Sequence, residues 1–153
     1  MQVASLMTRE VATCRPETTL AAAAVTMREK GVGFLPVVGG NQRLEGVLTD
    51  RDALMAVVAA GKAPMALPVS LAMRSPVTTC ASDLGLDAAL QLLAQARLHR
   101  LPVTDEAGRL VGVISIDDLA RAAERKGDPA FQQTVALALS AIVRRRSVPD
   151  DED

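Results

Sequence analysis

The chain has 153 residues and a formal net charge of −1, and nearly half of its residues are apolar. It contains two Phe but no Trp and no Tyr, so its core must be built from aliphatic side chains. A stacking platform for single-stranded nucleic acid needs aromatic rings, and their scarcity argues against one. The last four residues, Asp150 to Asp153, carry a charge of −4, so the rest of the chain carries +3. That balance suits a small anionic ligand without implying a surface that binds duplex nucleic acid.

The cysteine and histidine content argues against a metal site and against catalysis. Cys14 and Cys80 form no CxxC pair, and His99 is the single histidine. No nucleophile–base arrangement is visible, so we expect no enzyme activity. The N-terminus lacks the basic residues of a signal peptide, and glycine, lysine and prolines interrupt the apolar stretch 53–73. We therefore expect a cytoplasmic protein with no membrane span, in which both thiols are reduced and unlinked.

An internal repeat is the most informative feature of the sequence. Val3 falls on Val69, and this shift of 66 residues holds without a gap from Val3 to Asp52. The matching pairs include Met7 and Met73, Cys14 and Cys80, Leu20 and Leu86, Leu35-Pro36-Val37 and Leu101-Pro102-Val103, Gly46-Val47 and Gly112-Val113, and Asp52 and Asp118. Because glycine, proline and aspartate keep one register, the chain is predicted to contain two copies of one structural unit.

Each copy predicts the same elements in the same order, β-α-β-β-α. The first strand is predicted at Val11–Thr13 and again at Val77–Thr79. The amphipathic helices that follow bury an i, i+3, i+4, i+7 stripe, namely Leu20, Ala23, Ala24 and Met27, and then Leu86, Ala89, Leu90 and Leu93. A glycine-containing turn joins strands at 34–38 and 44–48, and another joins 100–104 and 110–114. The second helices are predicted to begin near Asp50 and Asp117.

A further helix follows the second copy. Asp128-Pro129 is an N-cap with proline in the first turn, and the apolar stripe comprises Phe131, Val135, Ala138, Leu139 and Ile142. Arg144–Arg146 would complement the helix dipole, although nucleic acid is the alternative reading of this triplet. The predicted boundaries are repeat 1 at 3–60, a linker at 61–68, repeat 2 at 69–127, the helix at 128–146 and a disordered acidic tail at 147–153.

The repeated segments resemble the cystathionine-β-synthase-type (CBS) repeat family. The resemblance rests on the tandem arrangement, on Leu-Pro-Val before each hairpin turn, and on the segments Gly46–Asp52 and Gly112–Asp118. It covers residues from Val3 to about Ala123 and is similar in layout to small stand-alone bacterial proteins of the hypoxic-response type. The resemblance implies an α/β (α+β) fold in which two β-α-β-β-α repeats pack about a pseudo-two-fold axis around a ligand cleft.

The residues at each strand–helix junction suit a nucleoside ligand. Backbone N–H groups and the helix dipole favour an anion there, the Thr49 hydroxyl can bond a ribose or phosphate oxygen, and Asp52 can accept from two ribose hydroxyls. The alternative is that Thr49 and Asp52 only cap the helix. Carried over from the family, one site combines Thr49, Asp52, Val77, Thr78, His99, Arg100 and Pro102, and a weaker one combines Val11, Ala12, Gly33, Phe34, Pro36, Ser115 and Asp118.

The two expected sites differ in charge. His99 and Arg100 resemble phosphate-contacting residues of adenylate-sensing members, whereas the equivalent Gly33 and Phe34 offer no cation. The alternative for His99-Arg100 is a solvated pair on a strand edge. For the equivalent Cys14 and Cys80, a redox switch or disulfide competes with two small buried hydrophobes at a strand end.

The family resemblance implies a regulatory module that binds AMP, ADP, ATP or S-adenosylmethionine, with no required cofactor. Such a module would form a homodimer and act on a protein partner that the sequence does not identify. The alternative function is a ligand-free scaffold for dimerisation and protein contacts with the same fold.

Overall fold

The computed structural model describes residues 1–143. Its helices are α1 (Leu20–Lys30), α2 (Asp50–Ala60), α3 (Leu86–Ala96), α4 (Ile116–Lys126) and α5 (Pro129–Val143). Its strands are β1 (Phe34–Val38), β2 (Leu44–Thr49), β3 (Cys80–Ala81), β4 (Arg100–Thr104) and β5 (Leu110–Ser115). Short 3₁₀ turns lie at Val3–Ser5, Gly40–Gln42, Pro64–Ala66 and Val69–Leu71. This mixed architecture with two repeats and a C-terminal helix confirms the predicted fold class. The predicted tail at 147–153 and the arginine triplet 144–146 lie outside the described residues.

The chain divides into two compact units. The central unit comprises Thr8–Ser82 and Pro102–Val113. The terminal unit comprises Met1–Met7, Asp83–Leu101 and the described residues from Ile114 onward. The central unit therefore contains α1, α2 and the hairpin β1–β2, whereas the terminal unit contains α3, α4 and α5.

The central unit is built on the antiparallel hairpin β1–β2, in which Phe34 pairs with Thr49 and Leu35 with Leu48. The ladder is irregular between Val37 and Val38. Alternating side chains of the hairpin pack with one face of α1. The resulting core contains Cys14, Leu20, Ala23, Met27, Leu35, Val37, Leu48, Leu67 and Val69.

The predicted first strand of each repeat is wrong in position and length. Val11–Thr13 forms no strand, and a single parallel bridge joins Cys14 to Val37 instead. In the second copy β3 covers only Cys80–Ala81, with Cys80 in register with Val103. Proline explains both results, because a parallel ladder extending back from Cys14 would next need the N–H of Pro36, which has none. The equivalent Pro102 ends the ladder before Cys80 in the same way.

The first residue of each repeat, and a residue just before it, form backbone hydrogen bonds with the other repeat near the start of its first helix. In the central unit the Val69 N–H donates to the Thr18 carbonyl at 2.7 Å, and the Leu20 N–H donates to Leu67 at 2.8 Å. In the terminal unit the equivalent bonds run from Val3 to Leu84 at 2.9 Å and from Leu86 to Met1 at 3.2 Å. The compact units and the sequence repeats therefore divide the chain differently, and the predicted repeat boundaries stay predictions.

The terminal unit is a helical layer in which α5 packs against α3 and α4. The predicted α3 stripe is fully buried, as are four of the five α5 stripe residues, Phe131, Val135, Ala138 and Ile142. Leu139 is the exception, since it is 42% exposed. The stripe of α5 is therefore covered within its own chain.

The predicted α1 stripe is correct for Leu20, Ala23 and Met27, which are buried, but wrong for Ala24, which is exposed. The run of four alanines at 21–24 carries no hydrophobic period, so periodicity alone could not tell which alanine faces the core. Within residues 1–143, no helix has the length and apolarity needed to cross a membrane.

Candidate functional site

The junction of β2 and α2 brings Thr49 and Asp52 into contact. Thr49 is the N-cap of α2, and its Oγ1 accepts a hydrogen bond from the Asp52 backbone N–H at 3.1 Å. The same hydroxyl donates to Asp52 Oδ2 at 2.6 Å. The Thr49 side chain therefore caps the helix, and its hydroxyl is directed at the Asp52 carboxylate.

Arg74 also holds the Asp52 carboxylate, although no sequence motif singles this arginine out. Its Nε lies 2.9 Å from Oδ1 and 3.0 Å from Oδ2, and its Nη2 lies 2.6 Å from Oδ1. The Asp52 side chain is 13% exposed, whereas that of Arg74 is 62% exposed. The signal that could have found it is a break in the repeat, because the equivalent residue is Thr8.

The environment of Asp52 favours its charged form. Partial burial alone would raise the pKa of this carboxyl, but hydrogen bonds from Arg74 and Thr49 and the positive charge of Arg74 outweigh that effect. The pKa of Asp52 is therefore lowered from its ordinary value. An ionised carboxylate that only accepts hydrogen bonds is suited to a pair of ribose hydroxyls.

The equivalent junction of β5 and α4 is a complete capping box. Ser115 Oγ accepts from the Asp118 N–H at 3.2 Å, and Asp118 Oδ2 accepts from the Ser115 N–H at 2.9 Å and from its Oγ at 2.6 Å. The other oxygen, Oδ1, accepts from Arg121 Nη2 at 2.6 Å. Asp118 is thus held by its own helix on both oxygens.

Arg100 is the first residue of β4 and His99 immediately precedes it; both lie in the terminal unit and both are exposed. The His99 carbonyl accepts from the Ile116 N–H at 2.9 Å, which fixes the backbone. Arg100 Nη2 lies 4.0 Å from Asp117 Oδ2, and both side chains are well exposed. A pair this long and this exposed leaves the guanidinium available to an anion.

Gly33 and Phe34, at the positions equivalent to His99 and Arg100, have a different environment in the central unit. The Asp50 N–H donates to the Gly33 carbonyl at 3.1 Å, and a Cβ at Gly33 would lie 2.6 Å from Asp50 Oδ2. Glycine leaves room for the carboxylate of the exposed Asp50 side chain to approach the backbone here. The side chain nearest Gly33 is thus an acidic one and not a cation.

The remaining predicted site residues of the central unit lie in or beside its strands. Val11 and Ala12 are half-buried in the segment before Cys14, whereas Pro36 and Pro102 are buried in β1 and β4. Thr78 is exposed. Val77 lines a cavity of about 230 Å³ together with Leu44, Glu45, Ser75, Pro76, Thr79, Thr104 and Gly108. That lining does not include Thr49 or Asp52.

Both cysteines are buried in the central unit and are present as free thiols. Burial raises the pKa of Cys14 to about 11, and it raises the pKa of Cys80 to about 11 as well. Neither thiol is therefore a reactive thiolate at neutral pH. Among residues 1–143, no group of three or more His, Cys, Asp or Glu side chains is placed to hold a metal ion.

A CBS domain family model matches residues 3–59 and 69–125. A CBS domain-containing protein of Bacillus subtilis, YhcV, is 38% identical over 118 residues, which cover 77% of this chain and 82% of that protein. Hypoxic response protein 1 of Mycobacterium tuberculosis is 36% identical over 103 residues, 67% of this chain and 71% of that protein. For three curated relatives the match spans 61%, 82% and 72% of their own length.

Solved structures agree with the sequence comparisons. CBSX2 of Arabidopsis thaliana in complex with AMP matches with a TM-score of 0.74 and 27% identity, over 83% of this chain and 98% of that one. The family match, the two strand–helix junctions and these relatives lead to one assignment. The chain belongs to the CBS domain family and carries two copies of the domain in tandem.

Proposed function

We propose that this chain is a non-catalytic regulatory module that binds an adenosine-type ligand. One solved relative, CBSX2, binds AMP. The observation that carries the proposal is the Thr49–Asp52 arrangement, in which an ionised carboxylate lies at the N-terminus of α2 beside a hydroxyl. Asp52 would accept hydrogen bonds from the ribose, and Thr49 would contact the ribose or a phosphate.

The ligand is proposed to carry at least one phosphate. His99 and Arg100 would face that phosphate, while Val77, Thr78 and Pro102 would lie along the adenine. In the weaker site, Ser115 and Asp118 would take the ribose, and Val11, Ala12, Phe34 and Pro36 would take the base. The Asp50 carboxylate beside Gly33 opposes an anion there. In the first site, AMP, ADP and ATP rank above S-adenosylmethionine, because Arg100 would contact a phosphate and S-adenosylmethionine has none.

A ligand-free scaffold is the second candidate function, and one observation favours it. The exposed face of α2 carries Leu54, Met55 and Val58, which are 62%, 56% and 67% exposed. Adjacent exposed apolar residues on one helix face are typical of a protein–protein contact. We propose that a second copy of the chain covers this face in a homodimer, whether or not ligand is bound. The cytoplasmic location and the unidentified protein partner stay predictions.

Calorimetry with AMP on the wild-type chain and on Asp52→Ala tests the proposed function. Loss of a charged acceptor costs about 1.5–3 kcal/mol, so we expect affinity to fall by about tenfold to hundredfold. Asp87→Ala is the matched control, because it removes an exposed aspartate from the first turn of α3. It should bind AMP like the wild type.

A thermal-shift series with AMP, ADP, ATP and S-adenosylmethionine complements the calorimetry. A ligand that binds the native state must raise the melting temperature. If none of the four raises the melting temperature at millimolar concentration, the proposal of a ligand-binding regulatory module is wrong and the ligand-free scaffold is favoured.

A further inference from the structure

We propose that Arg74 determines which ligands the Asp52 site accepts. In the free chain it occupies the carboxylate that the ribose needs, and it transfers to the phosphate when a nucleotide binds. The site would therefore select phosphorylated adenosines over adenosine itself. This inference rests on the proposed function and adds to it a residue that lies outside the family motifs.

The backbone of Arg74 is fixed next to the site. Its N–H donates to the Val47 carbonyl at 2.8 Å, and its carbonyl accepts from the Val47 N–H at 3.1 Å. Gly46 permits this approach, because a Cβ there would lie 3.0 Å from the Arg74 carbonyl oxygen and 2.9 Å from Met73 Sδ. Gly46 thus allows the backbone of Arg74 to pair with Val47, which lies two residues before the end of β2.

The guanidinium and a ribose compete for the same acceptors. An ionised carboxylate offers about four lone-pair sites. Arg74 makes three contacts of 2.6 to 3.0 Å with the two oxygens of Asp52, and the Thr49 hydroxyl takes a further position on Oδ2. Two ribose hydroxyls cannot bind both oxygens until Arg74 withdraws.

Withdrawal has a different consequence for each ligand. Adenosine provides no anion, so Arg74 loses its partner and the pair opposes binding. A nucleotide provides a phosphate, to which the guanidinium can form charge-assisted bonds of at least equal strength. Because the Arg74 side chain is 62% exposed, it can move without disturbing the core, and solvent screening of the guanidinium keeps the cost of its withdrawal small.

The other repeat lacks this device. The residue equivalent to Arg74 is Thr8, which pairs with Val113 through two backbone bonds of 2.9 Å but carries no charge. Asp118 is instead paired with Arg121 from the next turn of its own helix. The proposed selection therefore acts at the Asp52 site alone.

The test is calorimetry with adenosine and with AMP on the wild type, on Arg74→Gln and on Arg109→Gln. Arg109 is the matched control, because it forms an exposed pair with Asp105 at 2.7 Å in the β4–β5 turn. In Arg74→Gln, adenosine should bind about two- to fivefold more tightly, and AMP should bind about tenfold more weakly. The preference for AMP should therefore fall by at least about tenfold, while Arg109→Gln keeps the wild-type preference.

The outcomes separate this inference from the function on which it rests. If the wild type binds both ligands and Arg74→Gln keeps the same preference, Arg74 has no selective role although the module binds adenosine. If the wild type fails to bind adenosine and Arg74→Gln gains it, the inference is supported. If no variant binds either ligand, the inference is wrong, and the thermal-shift series with ADP, ATP and S-adenosylmethionine then decides whether the proposed function fails as well.

Discussion

The β2–α2 and β5–α4 junctions share one sequence pattern, but the residues around their aspartates differ. Both place a hydroxyl residue at the N-cap and an aspartate three residues later. Asp118 is held by the cap of its own helix and by Arg121. Asp52 is held by Arg74, 22 residues away in the chain. The two equivalent aspartates therefore differ in their partners. Asp118 is bound by residues of its own junction and helix, whereas Asp52 is bound by an arginine from a distant segment of the chain.

The helices after the two junctions differ even more on their exposed faces. At α2 the exposed residues include Leu54, Met55 and Val58. The equivalent α4 residues are Ala120, Arg121 and Glu124, and they are exposed as well. A solvated face with charges needs no partner, whereas the α2 face gains free energy when it is covered. The repeats are therefore alike in fold but unequal in their expected contacts.

The largest effect is expected on dimer affinity, when Val58 of α2 is replaced by glutamate, the residue at the equivalent position 124 of α4. Val58→Glu places a charge at the centre of the α2 face, and a two-fold dimer would contain the change twice. Because burying an unpaired charge is costly, we expect the dimer to weaken by about hundredfold or more. Sedimentation velocity across a concentration series measures the change.

Glu124→Gln on α4 is the control for this substitution and should leave the dimer unaltered. A wild-type chain that sediments as a monomer at micromolar concentration would show that the predicted homodimer is wrong. A dimer that survives Val58→Glu would assign the interface to another surface.

The sequence predicted the repeat, the two junctions and most of the buried helix faces, because these depend on local pattern. It could not predict Arg74, since that contact depends on where the segment after the linker packs against β2. It also overestimated the first strands, although the Leu-Pro-Val motif contained the reason, since a proline cannot donate to a parallel ladder. The exposed Ala24 shows the same limit, because alanine runs carry no period.

A second prediction concerns residues at which the two repeats should behave alike. Burial raises the pKa of Cys14 and of Cys80 from about 9 to about 11, so the unfolded chain loses these protons at lower pH than the folded chain. Stability is fully retained below about pH 9 and falls as the pH rises towards about 11. The loss should approach about 2–3 kcal/mol per thiol.

Urea unfolding of the wild type and of Cys14→Ala with Cys80→Ala, measured from pH 7 to pH 11, isolates the thiols from the lysines. The stability difference between the two proteins should shrink as the pH rises. A difference that stays constant would mean that the thiols titrate alike in the folded and unfolded states.

The smallest expected effect is a reversal of rank between the two aspartates. Affinity for AMP should fall more in Asp52→Ala than in Asp118→Ala, because the proposed phosphate contacts belong to the Asp52 site.

For the free energy of unfolding the order of the two variants should be the opposite. Asp118→Ala deprives the N–H of Ser115, a residue that is only 7% exposed, of its acceptor, and loss of a cap costs about 1 kcal/mol. Asp52→Ala chiefly breaks a pair with an exposed arginine, which contributes up to about 1 kcal/mol. We therefore expect the free energy of unfolding, measured by urea denaturation, to be lower for Asp118→Ala than for Asp52→Ala by a few tenths of a kcal/mol to about 1 kcal/mol. Equal midpoints would mean that the complete capping box at α4 adds nothing beyond the simpler cap at α2, and the structural contrast between the junctions would then matter for ligand alone.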